Sequence, residues 1–234
     1  EKIKWPKFNS PAAEELNSVL IVAGFNMSAQ WMQIWTILAG YKKVRGFRVY
    51  VLSSRGQPIQ NLYSKIFNFN NLYNEDLKID NIIIPGEFVD AVNKLSKFDD
   101  LKNFTFENVP FGKMAISTYS RHQATGILDI SSIAARNEVI HWIYRIFQTY
   151  NLSLQLYKDY QISQLYFTEV FMEEYGGFYY AALNADKNIV RFAGTVRDDS
   201  IVVQHMNHFS DRTHFSSLDN TTWKDILDKP FNAV

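Results

Sequence analysis

The sequence contains no cysteine. That absence removes disulfide staples, thiolate metal sites and cysteine nucleophiles together, and it fits a reducing compartment, so a cytoplasmic location is expected. Nor is either charge in excess: Lys and Arg number 24, and Asp and Glu also 24. A nucleic-acid surface needs cations to neutralise phosphates, and no surplus exists to supply them, so no nucleic-acid partner is expected. Long apolar runs are missing too. The longest, from about Val19 to Phe25, stops at Asn26, far short of the ~20 residues a spanning helix needs. No transmembrane segment is expected, which leaves peripheral association with a membrane open.

Several motifs are also missing. After the first apolar run stands Gly24-Phe25-Asn26-Met27, not the small-residue turn that lets a backbone approach a pyrophosphate. There is no Walker A sequence, no G-x-S-x-G elbow and no H-E-x-x-H pair, so nicotinamide, ATP, serine-hydrolase and zincin chemistry have no motif to carry them.

What is present is ordinary globular material with a surplus of aromatics. The chain has 234 residues, 47% hydrophobic and 21% charged, with 18 Phe and 13 Tyr among 15% aromatics. Such rings serve a core, and they also serve a surface that stacks on sugar rings. Residues 1–17 read as a polar lead-in, 18–228 as one α/β domain, and 229–234 as the start of a linker. Opening on Glu1 and stopping soon after Pro230-Phe231, the sequence is expected to be part of a longer chain, with more protein on at least one side.

The pattern along the chain alternates. Ser18 to Gly24 is a short flat apolar run, the signature of a strand buried on both faces. A helix follows, with Trp31, Ile34, Trp35 and Leu38 on one face, Ser28 as N-cap and Gly40 and Gly46 at its end. Phe47 to Leu52 completes a strand–helix–strand unit. Further on, the spacing predicts a helix over 59–69 with Leu62, Ile66 and Phe69 in register. A buried strand is predicted at Asn81-Ile82-Ile83-Ile84 and a helix through Phe88, Val92 and Leu95. Asn68 to Asn74 reads as surface loop, and 98–113 as an irregular or small-strand insertion. A long helix is predicted over 132–158, capped by Asp129 or Ser131, with Val139, Ile143, Ile146, Phe147, Tyr150, Leu154 and Tyr157 on its stripe. Strands at 165–168, 188–193 and 200–204 finish the domain, with Gly176-Gly177 opening a short helix at Phe178. Strands alternating with helices imply a Rossmann-like, mostly parallel sheet with helices on both faces.

Four places carry candidate chemistry. Gly24, Phe25, Asn26 and Met27 follow the first strand, where open α/β sheets bind ligands, or form an ordinary turn. Glu169 follows a buried strand, where apolar neighbours would raise its pKa toward that of a general base; the alternative is a carboxylate capping the next helix. Arg197 follows another strand and suits a carboxylate or phosphate, or is an exposed loop residue beside Asp198 and Asp199. His205, His208, Asp211 and His214 recur at every third residue. The types suit zinc or iron but the spacing matches no ligand motif, so no metal is expected. A polar loop ordered by Asp211 and Arg212 is the simpler reading, with His214 free to act as acid or base.

In order and pattern these segments resemble the N-terminal half of GT-B glycosyltransferases: Ser18-Val-Leu-Ile-Val-Ala-Gly24, the Trp-rich helix, and Gly46-Phe-Arg-Val-Tyr-Val-Leu52. Phe104 to Lys113 with Ser117 to Arg121, the Gly176-Gly177-Phe178-Tyr179-Tyr180 stretch, and Asp211 to Leu218 with Thr221-Thr222-Trp223 resemble a group linked to bacterial capsule and surface polysaccharide synthesis. The resemblance implies a single half of that fold, binding a saccharide acceptor. It implies no cofactor here, and a nucleotide-sugar donor held by a C-terminal domain outside this sequence, so the half alone would be inactive. Glu169 or His214 would deprotonate the acceptor hydroxyl, and Gly24 to Met27, Gly176, Gly177, Arg197 and Arg212 would position it. Two other readings stand: a non-catalytic α/β binding or scaffold module, and a metallohydrolase built on His205 to His214.

Overall fold

A computed structural model describes residues 17–22, 29–123, 132–168, 173–194 and 201–206. Its centre is a six-stranded sheet: β1 (Ser18–Val22), β2 (Arg48–Ser53), β3 (Asn70–Tyr73), β4 (Ile162–Phe167), β5 (Asn188–Gly194) and β6 (Ile201–His205). The strand order is β3-β2-β1-β4-β5-β6. The first five strands run parallel, and β6 returns antiparallel along β5. This is the Rossmann-like α/β architecture that the alternating sequence pattern implies.

Period-two alternation sends each strand's side chains to two separate cores. Val19, Ile21, Val49, Val51, Tyr166, Val190 and Phe192 face one side. Leu20, Val22, Tyr50, Leu52, Leu165, Phe167 and Ile189 face the other. Both sides are apolar, which is why the strands read as unbroken hydrophobic runs. Helices α1 (Ala29–Val44) and α2 (Pro58–Ile66) cover the first side, where Trp35 and Ala39 are buried. The second side is covered by α3 (Gly86–Asn93), α4 (Phe98–Asn103), α5 (Phe111–Gln123), α6 (Ile133–Asp159) and α7 (Glu173–Asn184).

The second core accounts for much of the aromatic surplus. Phe88 lies 3.9 Å from Phe147, ring centre to ring centre, and meets Phe104, Phe106 and Phe111 edge-on at 5.0–5.7 Å. Tyr157 is fully buried and its hydroxyl donates to the Phe178 carbonyl at 2.6 Å, fastening α6 to α7. The N-cap of α6 is Ser132, whose hydroxyl accepts from the Ala135 N–H at 3.1 Å. It takes the place expected of Asp129 or Ser131, both outside the described residues.

Two sequence expectations are reversed around the third strand. Asn70–Tyr73 is a strand, not a loop, and Asn81–Ile84 is not a strand. Asn70–Tyr73 sits at the sheet edge and buries only Leu72, so its hydrophobic signal is weak; the Asn70 side-chain amide instead donates to the Val49 carbonyl at 3.0 Å. Ile82 and Ile84 pack at the margin of the α6 core while Ile83 points out at 88% exposure. The predicted stripe of α2 also turns round: Leu62 and Ile66 are exposed, and the buried residue is Phe69, beyond the helix end. Within 98–113, read as irregular or small-strand, lie the short helix α4 and a tight turn closed by an antiparallel Phe106–Val109 bridge, with Glu107 and Asn108 both at positive φ.

Candidate functional site

Five parallel strands bring their carboxyl ends to one edge of the sheet. β1 and β4 are neighbours there, with Val22 opposite Phe167 at their ends. The chain from β1 goes on to α1 on one face, and the chain from β4 goes on to α7 on the opposite face. The order of the sheet therefore reverses between β1 and β4. Connections that part to opposite faces leave a crevice at such a switch point, the usual ligand site of an open α/β sheet. Helices α1 and α7, of 16 and 12 residues, each begin from that edge. Their amino ends turn the positive end of each helix dipole toward it.

In sequence, Gly24, Phe25, Asn26 and Met27 come directly after β1, and Glu169 comes two residues after the end of β4. Both groups thus belong to the two segments that leave the switch point, and both lie outside the described residues. So do Arg197, Arg212, His208, Asp211 and His214. His205 ends β6 and is exposed, and no group of three His, Asp or Glu suited to a metal occurs among the described residues.

Gly176 and Gly177 are not a loop before a helix at Phe178, because α7 already begins at Glu173. Both are buried where α7 presses on its neighbours. A Cβ on Gly177 would lie 3.0 Å from the Ile146 carbonyl oxygen and from the Tyr150 nitrogen. One on Gly176 would meet the Met114 sulfur. Close helix packing accounts for both residues.

One residue near the edge was not singled out from the sequence. Arg191 pairs in register with Phe167 at the end of β4 and is only 3% exposed. It shares a side of β5 with Ile189, which places its guanidinium on the α7 face. A charge buried so fully must be met by acceptors, and a fork of N–H donors beside a crevice suits carboxylate or phosphate. The signal was available: Arg191 is the one charged residue inside the run Ile189 to Ala193.

The other end of the same edge is already satisfied from within. The Ser54 hydroxyl donates to Glu75 Oε1 at 2.6 Å, and the Arg55 N–H donates to the same oxygen at 3.0 Å. The Arg55 guanidinium forks onto both oxygens of Asp76 at 2.9 and 2.7 Å and lies 4.8 Å from the Tyr73 ring centre. The Ser54 hydroxyl, then backbone hydrogen bonds, hold the Glu75 carboxyl below the usual carboxylate range. These groups latch β2 to the turn after β3. A surface groove of about 490 Å³ between Lys78, Asn81, Asn151 and Gln155 includes no residue of β1, β4 or β5, and so lies away from the switch point.

Compared with models of known families, with curated proteins and with solved structures, the chain finds no match in any of the three.

Proposed function

We propose that this chain is the acceptor-binding half of a glycosyltransferase of surface polysaccharide synthesis. The observation that carries the proposal is the switch point between β1 and β4. Strands β1 and β4 end side by side, and the sequence places Gly24 to Met27 after one and Glu169 after the other. The order of segments that resembles a GT-B half supports the finer reading.

In this proposal the segment 24–27 positions a saccharide hydroxyl over the switch point. Glu169 takes its proton as the oxygen bonds the anomeric carbon and the nucleoside diphosphate leaves with the bonding pair; His214 is the other candidate base. Arg191, Arg197 and Arg212 serve acidic groups of the sugars. A nucleotide-sugar donor would be held by a C-terminal domain, so the half alone binds acceptor and transfers nothing.

The test is saccharide and nucleotide-sugar titration by calorimetry, followed by transfer assays on the full-length protein. Acceptor oligosaccharide should bind, and Glu169→Gln should cut transfer by about a hundredfold or more, the weight of a general base. Full transfer rates in both Glu169→Ala and His214→Ala would defeat the mechanism. Absence of any saccharide binding would favour the non-catalytic module.

A further inference from the structure

The charge balance of the whole chain conceals a one-sided segment. From Leu16 to Asn74 there is no Asp or Glu, yet six Lys and Arg: Lys42, Lys43, Arg45, Arg48, Arg55 and Lys65. Arg55 is neutralised by Asp76 at the carboxyl edge. The other five gather at the opposite edge, at the ends of α1 and α2 and the start of β2. The Lys43 ammonium joins the two helix ends, donating to the Phe67 and Asn68 carbonyls at 3.1 and 2.6 Å. Lys42 lies 4.7 Å from the Phe47 ring centre, and Arg45, Arg48 and Lys65 are exposed. None of these five forms an ion pair with another described residue.

The same two helices are apolar on their outer faces. Ile37, Tyr41 and Val44 recur along α1 at four- and three-residue spacing, and Ile59, Leu62 and Ile66 recur along α2 at three and four, so each set forms one stripe. All six are 48–71% exposed. The inner faces of both helices are already used against the sheet. A helix apolar on two sides is ordinarily covered on both, and six large apolar side chains in one layer exceed the scattered exposure normal on a soluble surface.

We propose that the outer layer formed by α1 and α2 docks on an anionic lipid surface, with the apolar stripes entering the headgroup boundary and the five cations meeting lipid phosphates. A surface carrying negative charge everywhere repels a carboxylate at any point of the docking face, which suits a segment that lacks them throughout. A protein partner would exclude them only locally. A second copy of this chain, paired face to face about a two-fold axis, would set these cations against their own images. No helix among the described residues is long and apolar enough to cross a membrane, so the attachment is to one leaflet. With α1 and α2 lying along the strands, the carboxyl edge would stand beside the bilayer, open to a ligand.

The test is sedimentation of the whole chain with phosphatidylcholine vesicles, with and without phosphatidylglycerol. Binding should need phosphatidylglycerol and weaken as salt rises. Replacing Arg45, Arg48 and Lys65 together by Gln should weaken it about a hundredfold, at roughly fivefold per cation. Ile37→Ser with Leu62→Ser and Ile66→Ser should also release the protein, while circular dichroism and the thermal midpoint of both variants stay near those of the parent. No binding to phosphatidylglycerol vesicles, or equal binding by either variant, overturns the proposal. A dimer that Ile37→Ser disperses, seen without vesicle binding, assigns the layer to a second copy instead.

Discussion

The sequence sets Gly40 at the end of a helix and Gly112 in an irregular stretch; the structure places both within helices, α1 and α5, and separates them by what surrounds them. A Cβ on Gly112 would stand 1.8 Å from the Leu101 carbonyl oxygen and 3.0 Å from the Phe104 nitrogen. Both contacts are backbone, so neither can turn aside. The Gly112 N–H also donates to the Phe104 carbonyl at 3.0 Å, which holds the start of α5 against the end of α4. A Cβ on Gly40, inside α1, would meet nothing within 4 Å. Gly112→Ala should therefore destabilise the chain by about 3 kcal/mol, the upper range for forced overpacking. Gly40→Ala should stabilise it by about 1 kcal/mol, the difference in helix propensity. Urea unfolding of both variants checks the pair; a stable Gly112→Ala would mean that the α4–α5 joint yields. The same scale shows what the sequence hid at the site. Arg191 was visible as a charge in an apolar run, but its burial beside the β4 end follows from β5 lying next to β4, which no local pattern states.

At the scale of elements, the strand–helix–strand opening and the long helix over 132–158 were legible because their hydrophobic periods are strong and continuous. β3 was not, because an edge strand buries one face and part of another and so carries little apolar signal. What fixes β3 instead is polar: Glu75 and Asp76, just beyond it, hold Ser54 and Arg55, just beyond β2. That latch predicts an acid response. The Glu75 carboxyl titrates below the usual range in the folded chain, chiefly through the Ser54 hydroxyl. Folded protein thus takes up this proton at lower pH than unfolded protein does. The stability it contributes is complete above the ordinary carboxylate pKa and disappears as pH falls through the depressed folded value. Glu75→Gln should lower stability at about pH 7, yet lose less than the parent on going to about pH 3. Urea midpoints at the two pH values measure this, and parallel losses in parent and variant would show that the latch carries no such linkage.

Across the whole molecule the sheet divides two unequal layers. Among the described residues, ten buried apolar residues lie in the core under α1 and α2, against thirty-seven in the core under α3 to α7. The fold class was legible in the sequence because alternation alone sets it, but this imbalance was not, since both layers use the same residue types. The stripe Leu62–Ile66 shows the difficulty: its period announces a helix face without saying which way that face points. Unequal layers predict unequal opening. Strands β1 and β4 are bonded on both sides and covered on both faces, so their amides should exchange most slowly, together with those of α6. Among the described residues β3 is bonded on one side only, and α2 rests on the thinner core, so both should exchange much sooner. Hydrogen exchange read by mass spectrometry tests the order directly. If α2 proves as protected as α6 in the protein alone, its outer apolar stripe is already covered in solution; if it gains protection only with anionic vesicles, that layer closes on the lipid surface.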